Sequence, residues 1–179
     1  MAEGPKLAQG TWEDAEALVG TVIATQEGAD EVTAPDVRRK LEAIGWDCPL
    51  HTDPAVARAH GHPDVVAPAS MARCFAMPAY WRPGQERPGT TPVKVPIAAT
   101  SVPGIGDTLI ATRIRMEYLA PVHPGDRLRS RSVLKSVTRK RTRVGDGASI
   151  VVETTYLNQR DESVTIETAT LLRYQSQAA

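Results

Sequence analysis

Four strand-length segments dominate the chain after residue 107. They run Thr108 to Leu119, Arg127 to Arg143, Ala148 to Asn158 and Val164 to Tyr174, and all are rich in Val, Ile, Thr, Leu and Tyr. Gly145-Asp146-Gly147 and Arg160-Asp161-Glu162-Ser163 carry hairpin-turn chemistry between them, and Pro121-Val122-His123-Pro124-Gly125-Asp126 makes the first connection. Strands joined by links this short pair antiparallel, and their sheet needs an apolar partner for one face. A candidate partner lies upstream. The stretch Val65-Val66-Ala67-Pro68-Ala69-Ser70-Met71-Ala72-Arg73-Cys74-Phe75-Ala76-Met77 is nearly free of charge, and a helix apolar almost all round is a buried one. The pattern predicts a central helix over 69–80 and an α+β fold in which one long antiparallel sheet wraps around that buried helix.

The N-terminal part adds smaller elements. Residues 1–14 read as a flexible arm, and 15–179 as a single domain. Leu18-Val19-Gly20-Thr21-Val22-Ile23 has strand composition. Thr33-Ala34-Pro35-Asp36 starts a helix: Thr33 as N-cap, Pro35 where its missing N–H costs nothing, Asp36 closing a capping box. Val37, Leu41 and Ile44 recur at helical spacing toward the core, with Arg38, Arg39 and Lys40 outward and Gly45 as the stop. Asp53-Pro54 repeats the cap signal for a short helix ending near Gly61. Residues 82–107 are broken by Pro and Gly, an insert of the kind that forms a lid or binding wall.

Charge and cysteine usage exclude several classes. Twenty-one basic residues balance twenty-one acidic ones, which argues against nucleic acid as a partner. No apolar run is long enough for a bilayer, and the first residues lack a signal pattern, so the expected location is the cytoplasm. Cys48 and Cys74 are too few for a disulfide framework, and Cys48 with His51 has no second pair at ligand spacing, so no metal site is expected.

Chemistry concentrates in Gly45-Trp46-Asp47-Cys48-Pro49-Leu50-His51-Thr52-Asp53. This stretch resembles the Gly-Asp-x-Asn-Pro-Leu-His-x-Asp motif of R-specific enoyl-CoA hydratases through Gly45, Pro49, Leu50, His51 and Asp53, with Ala57 and Gly61 following at the family's spacing. Pro121, Val122, Gly125 and Asp126 are similar to a second family joint, and Val65 to Met71 resembles the approach to the family's central helix. The resemblance spans most of residues 18–174 and points to the MaoC-like hot-dog fold, in the FAS1-like dehydratase branch, whose members include subunits that work only beside a partner hot-dog.

The resemblance implies an acyl-thioester hydratase or dehydratase interconverting 2-enoyl-CoA and 3-hydroxyacyl-CoA with a bulky or long acyl group, without cofactor. Such chemistry needs a base for water, an acid for Cα, and dipoles for the enolate oxygen. His51 suits the base, and Asp47 is its candidate carboxylate partner. Backbone N–H groups near Ala69 and Ser70 would face the thioester oxygen, while Trp46, Met71 and Phe75 are candidate acyl-pocket residues. The family's carboxylate stands five residues before the histidine, where this chain has Trp46. Either Asp47 takes over from the next position, or the carboxylate is lost and the chain is a non-catalytic, substrate-binding subunit of a heteromeric dehydratase.

Each candidate also has a plainer reading. His51 can serve only local backbone, Asp47 can be a solvated turn residue, and Asp53 is an N-cap. Met71, Phe75 and Met77 fit a helix core face, and Arg139-Lys140-Arg141-Thr142-Arg143 is either a solvated strand end or an edge for CoA phosphates. A hot-dog thioesterase needs a carboxylate near the helix, and none lies between Val65 and Met77. An open sheet edge predicts a homodimer or a heterodimer with another hot-dog subunit.

Overall fold

The computed structural model describes residues 7–85, 97–142 and 145–175. Helix α1 spans Trp12–Ala17, β1 Val22–Glu27, α2 Ala34–Ile44, α3 Pro54–Ala59 and α4 Ala72–Phe75. Strands β2 Thr108–Tyr118, β3 Arg129–Thr142, β4 Gly145–Leu157 and β5 Ser163–Tyr174 complete a five-stranded sheet in the order β1-β3-β4-β5-β2, with every pair antiparallel. The four long strands stand where the sequence pattern puts them. One hairpin differs. Thr142 pairs with Gly145, so Asp146 and Gly147 belong to β4 rather than to a turn. Gly147 is there for packing: a Cβ at that position would lie 2.1 Å from the Arg173 carbonyl oxygen.

The helices follow their caps. Thr33 Oγ1 accepts from the Asp36 amide and Gly45 ends α2 in the left-handed region at φ 62°. Val37 and Leu41 are buried as expected, but Ile44 is 50% exposed, so the apolar stripe stops one turn early. The strand expected over 18–23 is shifted: Leu18 closes α1, and only Val22 and Ile23 of that stretch belong to β1, which runs on to Glu27. Residues 8–14 are not a free arm: Ala8 N–H donates to Thr100 C=O at 2.9 Å and Gln9 bridges to Gly104. Thr11 and Asp14 form a capping box, and Trp12, 7% exposed, packs into the core with Ala15. Residues 1–6 lie outside the described part.

The largest departure is the central helix. In place of a helix over 69–80, a 3-10 turn at Ala69–Met71 leads into α4, which ends at Phe75. Pro78 explains the stop, because a proline disfavours helical backbone in the residue before it. The Met77 carbonyl instead accepts from the Ala29 amide at 2.9 Å.

Two buried clusters cover opposite ends of the sheet's inner face. One joins α2 and α4 to Leu128, Tyr156 and Val164; the other joins α1 to Leu134, Ile150 and Leu171. The second is closed by residues 97–107, the part of the Pro/Gly-rich insert that is described beyond residue 85. This strap is tied down by Arg173, which is fully buried and donates to the carbonyls of Val102, Gly104 and Gly106. Burial lowers the guanidinium's pKa from its ordinary value. Among the described residues no helix is long and apolar enough to cross a membrane.

Candidate functional site

The loop between α2 and α3 is built from backbone turns. After Gly45, a 3-10 turn at Pro49–His51 is closed by His51 N–H to Cys48 C=O at 3.0 Å. Asp53 then caps α3 through the Ala55 amide at 2.7 Å, as its cap role predicts. Leu50 accepts from the Val66 amide at 3.0 Å, and His51 Nδ1 lies 2.5 Å from the Val66 carbonyl oxygen. A carbonyl only accepts, so Nδ1 carries the proton and a neutral ring keeps its lone pair on Nε2. That is the tautomer a general base requires.

Around this histidine the predicted residues divide. Trp46 meets it, the two rings edge-to-face with centroids 4.7 Å apart. Asp47 is exposed and, among the described residues, makes no hydrogen bond or ion pair with His51. Ala69 and Ser70 are exposed at the start of their turn, three residues beyond the Val66 carbonyl that holds His51. Met71 is buried and Phe75 packs on the α2–α4 core. Neither residue lines the cleft on the inner face of the sheet, and both border a separate hollow of about 320 Å³ beside Asp30 and Glu31. The basic run is partly committed elsewhere: Arg139 pairs with Glu13 at 2.5 Å and Glu16 at 3.1 Å on α1. Among the described residues no three His, Cys, Asp or Glu side chains cluster at metal-binding spacing.

A cleft on the inner face of the sheet, bordered by Arg73 of α4 and by Met77, has a volume of about 190 Å³. Its walls are mostly apolar, among them Met77, Leu109, Ile114, Val152 and Leu171. Its floor carries a polar group that sequence reasoning missed. Tyr156 Oη donates to Glu167 Oε2 at 2.8 Å, Arg73 Nη1 of α4 stands 3.6 Å from Glu167 Oε1, and Ser132 and Thr154 hydroxyls bond at 2.8 Å beside them. Burial first, then the neighbouring carboxylate, pushes the Tyr156 hydroxyl well above the usual phenol range. A signal for this group existed. Alternation puts Glu167 and Arg173 on the same side of β5 as Leu171, and a charge on the apolar parity of a strand marks a special position. Glu167 also puts a carboxylate beside α4, supplied by a strand rather than by residues 65–77.

The FAS1-like, dehydratase domain region model matches residues 17–167. The chain belongs to the FAS1-like dehydratase family. The "Probable enoyl-CoA hydratase alpha subunit" of Thermomonospora curvata is 31% identical over 161 residues, which cover 89% of this chain and 50% of that protein. The "3-oxo-4,17-pregnadiene-20-carboxyl-CoA hydratase alpha subunit" of Mycobacterium tuberculosis is 33% identical over 120 residues, covering 66% of this chain and 37% of that protein. The chain thus spans half or less of the length of these curated relatives. A chain of the ChsH1-ChsH2 complex from Mycobacterium tuberculosis superposes with a TM-score of 0.71 at 25% identity over 93% of each chain. The MaoC-like dehydratase from Rhodospirillum rubrum, 19% identical with a TM-score of 0.59 over 88% of this chain and 95% of that one, shares the fold. The FAS1-like dehydratase chain therefore has the MaoC-like hot-dog architecture expected from its strands and joints, with a central helix cut short.

Proposed function

We propose that this chain is a subunit of an acyl-thioester hydratase/dehydratase that interconverts 2-enoyl-CoA and 3-hydroxyacyl-CoA. The His51–Val66 bond carries the reading, because it fixes the ring through Nδ1 and leaves Nε2, which bonds to no described residue, to take a proton from water. In hydration, Nε2 removes that proton as the water oxygen attacks Cβ and the double-bond electrons pass to the thioester oxygen; the imidazolium and its carboxylate partner then return the proton to Cα as the enolate collapses to the thioester. The amides near Ala69 and Ser70 would stabilise the enolate oxygen between those events. Acid, base and dipoles suffice for this step, so no cofactor is invoked.

The acyl group would lie in the inner-face cleft. A helix stopped at Phe75 leaves that face uncovered, which favours a bulky or long acyl group over a short one. The carboxylate half of the pair would come from a second hot-dog unit, since Trp46 and not Asp47 stands against His51. Strand β2 supports such an assembly: it ends the sheet, and Ile110, Ile114, Tyr118 and Leu119 are exposed along or beside it. Ile114 also lines the cleft, so a unit docked on β2 would roof the acyl site.

Hydration of a panel of 2-enoyl-CoA esters, by the chain with its co-purifying partner, tests the reading. His51→Ala is expected to lower the rate by about a hundredfold or more. The Trp46 contact favours a second reading, in which this chain only binds the acyl group and the partner holds both catalytic residues. Under that reading His51→Ala leaves the complex at full rate. Release of free CoA without hydration would point to a thioesterase instead.

A further inference from the structure

Glu167 is 6% exposed in a cleft whose walls are otherwise mostly apolar. A carboxylate in such a place is costly unless its oxygens are satisfied. One is: Oε2 accepts from Tyr156 Oη at 2.8 Å. The other is held only loosely. Arg73 Nη1 is 3.6 Å from Oε1, beyond hydrogen-bond reach, and Oε1 accepts from no other described residue. The strand register builds the surroundings: Ser132 lies opposite Thr154, and Thr154 opposite Glu167, so a polar row crosses the floor. Ser132 and Thr154 bond to each other and leave Glu167 Oε1 as the strong acceptor facing the cleft.

We infer that the cleft selects an acyl group whose apolar framework carries a hydroxyl, which donates to Glu167 Oε1. This rests on the reading of the cleft as the acyl site and adds the chemical class of the group it holds. Tyr156 and Arg73 act as positioning residues: they keep the carboxylate aimed into the cleft. A hydroxyl buried against a carboxylate makes a charge-assisted bond, whereas a plain hydrocarbon would strip Glu167 of water and return nothing.

The test compares decanoyl-CoA with ω-hydroxydecanoyl-CoA, equal in carbon number, as ligands of the chain with any partner that co-purifies. Titration calorimetry is expected to give about tenfold or tighter binding of the hydroxylated ester. Glu167→Gln should cut that preference severalfold with an unchanged melting temperature. The paired variant Tyr156→Phe/Glu167→Leu, which removes both partners together, should bring the two esters within about threefold of each other by restoring decanoyl-CoA binding. Equal binding by the wild type would overturn the inference and leave the cleft as an acyl site. A preference untouched by both variants would overturn the assignment to Glu167. Binding of neither ester would overturn the acyl-site reading and the inference with it.

Discussion

The loop at 45–53 and the floor of the inner-face cleft bear the two groups proposed to act on substrate, and they are held in opposite ways. In the loop, His51 is positioned by one backbone carbonyl and one ring contact, on a turn whose neighbours Trp46 and Asp47 are exposed. In the cleft, Glu167 is positioned by a buried tyrosine and an arginine from a different element, on a strand paired on both sides. The loop can lose the His51 side chain and keep its turns, because those turns are closed by main-chain bonds. The cleft is more sensitive to losing Tyr156, because that hydroxyl satisfies Glu167 Oε2 away from water. Under the proposed function chemistry and binding are separable: the loop would supply the base, and the sheet would supply the shape and polarity that choose a substrate.

That contrast can be broken by mutation. Arg173→Ala should be the most damaging change, because it strands the buried carbonyls of Val102, Gly104 and Gly106 and frees the strap along the cleft wall. A loss of about 3–5 kcal/mol in denaturant unfolding is expected. Tyr156→Phe should cost about 1–3 kcal/mol by leaving Glu167 Oε2 without its donor. On the loop side, His51→Ala should cost no more than about 1 kcal/mol of stability while removing most activity. Equal destabilisation by the Tyr156 and His51 changes would erase the distinction between the two regions.

A smaller effect is expected from pH. His123 sits on the joint that follows β2, its Nε2 buried with no hydrogen-bond partner among the described residues and its ring 5.6 Å from that of His62. Burial lowers its pKa, outweighing the nearby Asp126 carboxylate. Below about pH 6.5 the unfolded chain then binds a proton that the folded chain resists, so stability should fall as pH drops from there. Unfolding midpoints measured between neutral and mildly acidic pH should show this slope. His123→Asn should flatten it.

Most of the sheet was readable from the sequence because period-two patterns and turn residues agree over 108–174. The hairpin after β3 was misplaced because Gly147 serves close packing against β5 instead of turn geometry. The helix caps at Thr33 and Asp53 were legible for a local reason: a cap is written within four residues. The capping box at Thr11 was equally local, yet the flexible-arm reading passed over it. At the site, the motif located His51 but not what its ring would touch, since that depends on Val66, fifteen residues away. The Tyr156–Glu167–Arg73 group was least legible, because it assembles from two strands and a helix and only the parity of Glu167 hints at it.

The central claim is that His51 is a competent base lacking its own carboxylate, and the rate of enoyl-CoA hydration by the isolated chain with Trp46→Asp tests it most directly. Trp46 is 48% exposed, so the change should leave the fold intact, and its position places a carboxylate beside the imidazole. The account predicts a slow wild-type chain, a rise of about tenfold or more in the variant, and loss of that gain when His51→Ala is added. A wild-type chain already at full rate, slowed by Asp47→Asn and indifferent to Trp46→Asp, would contradict it.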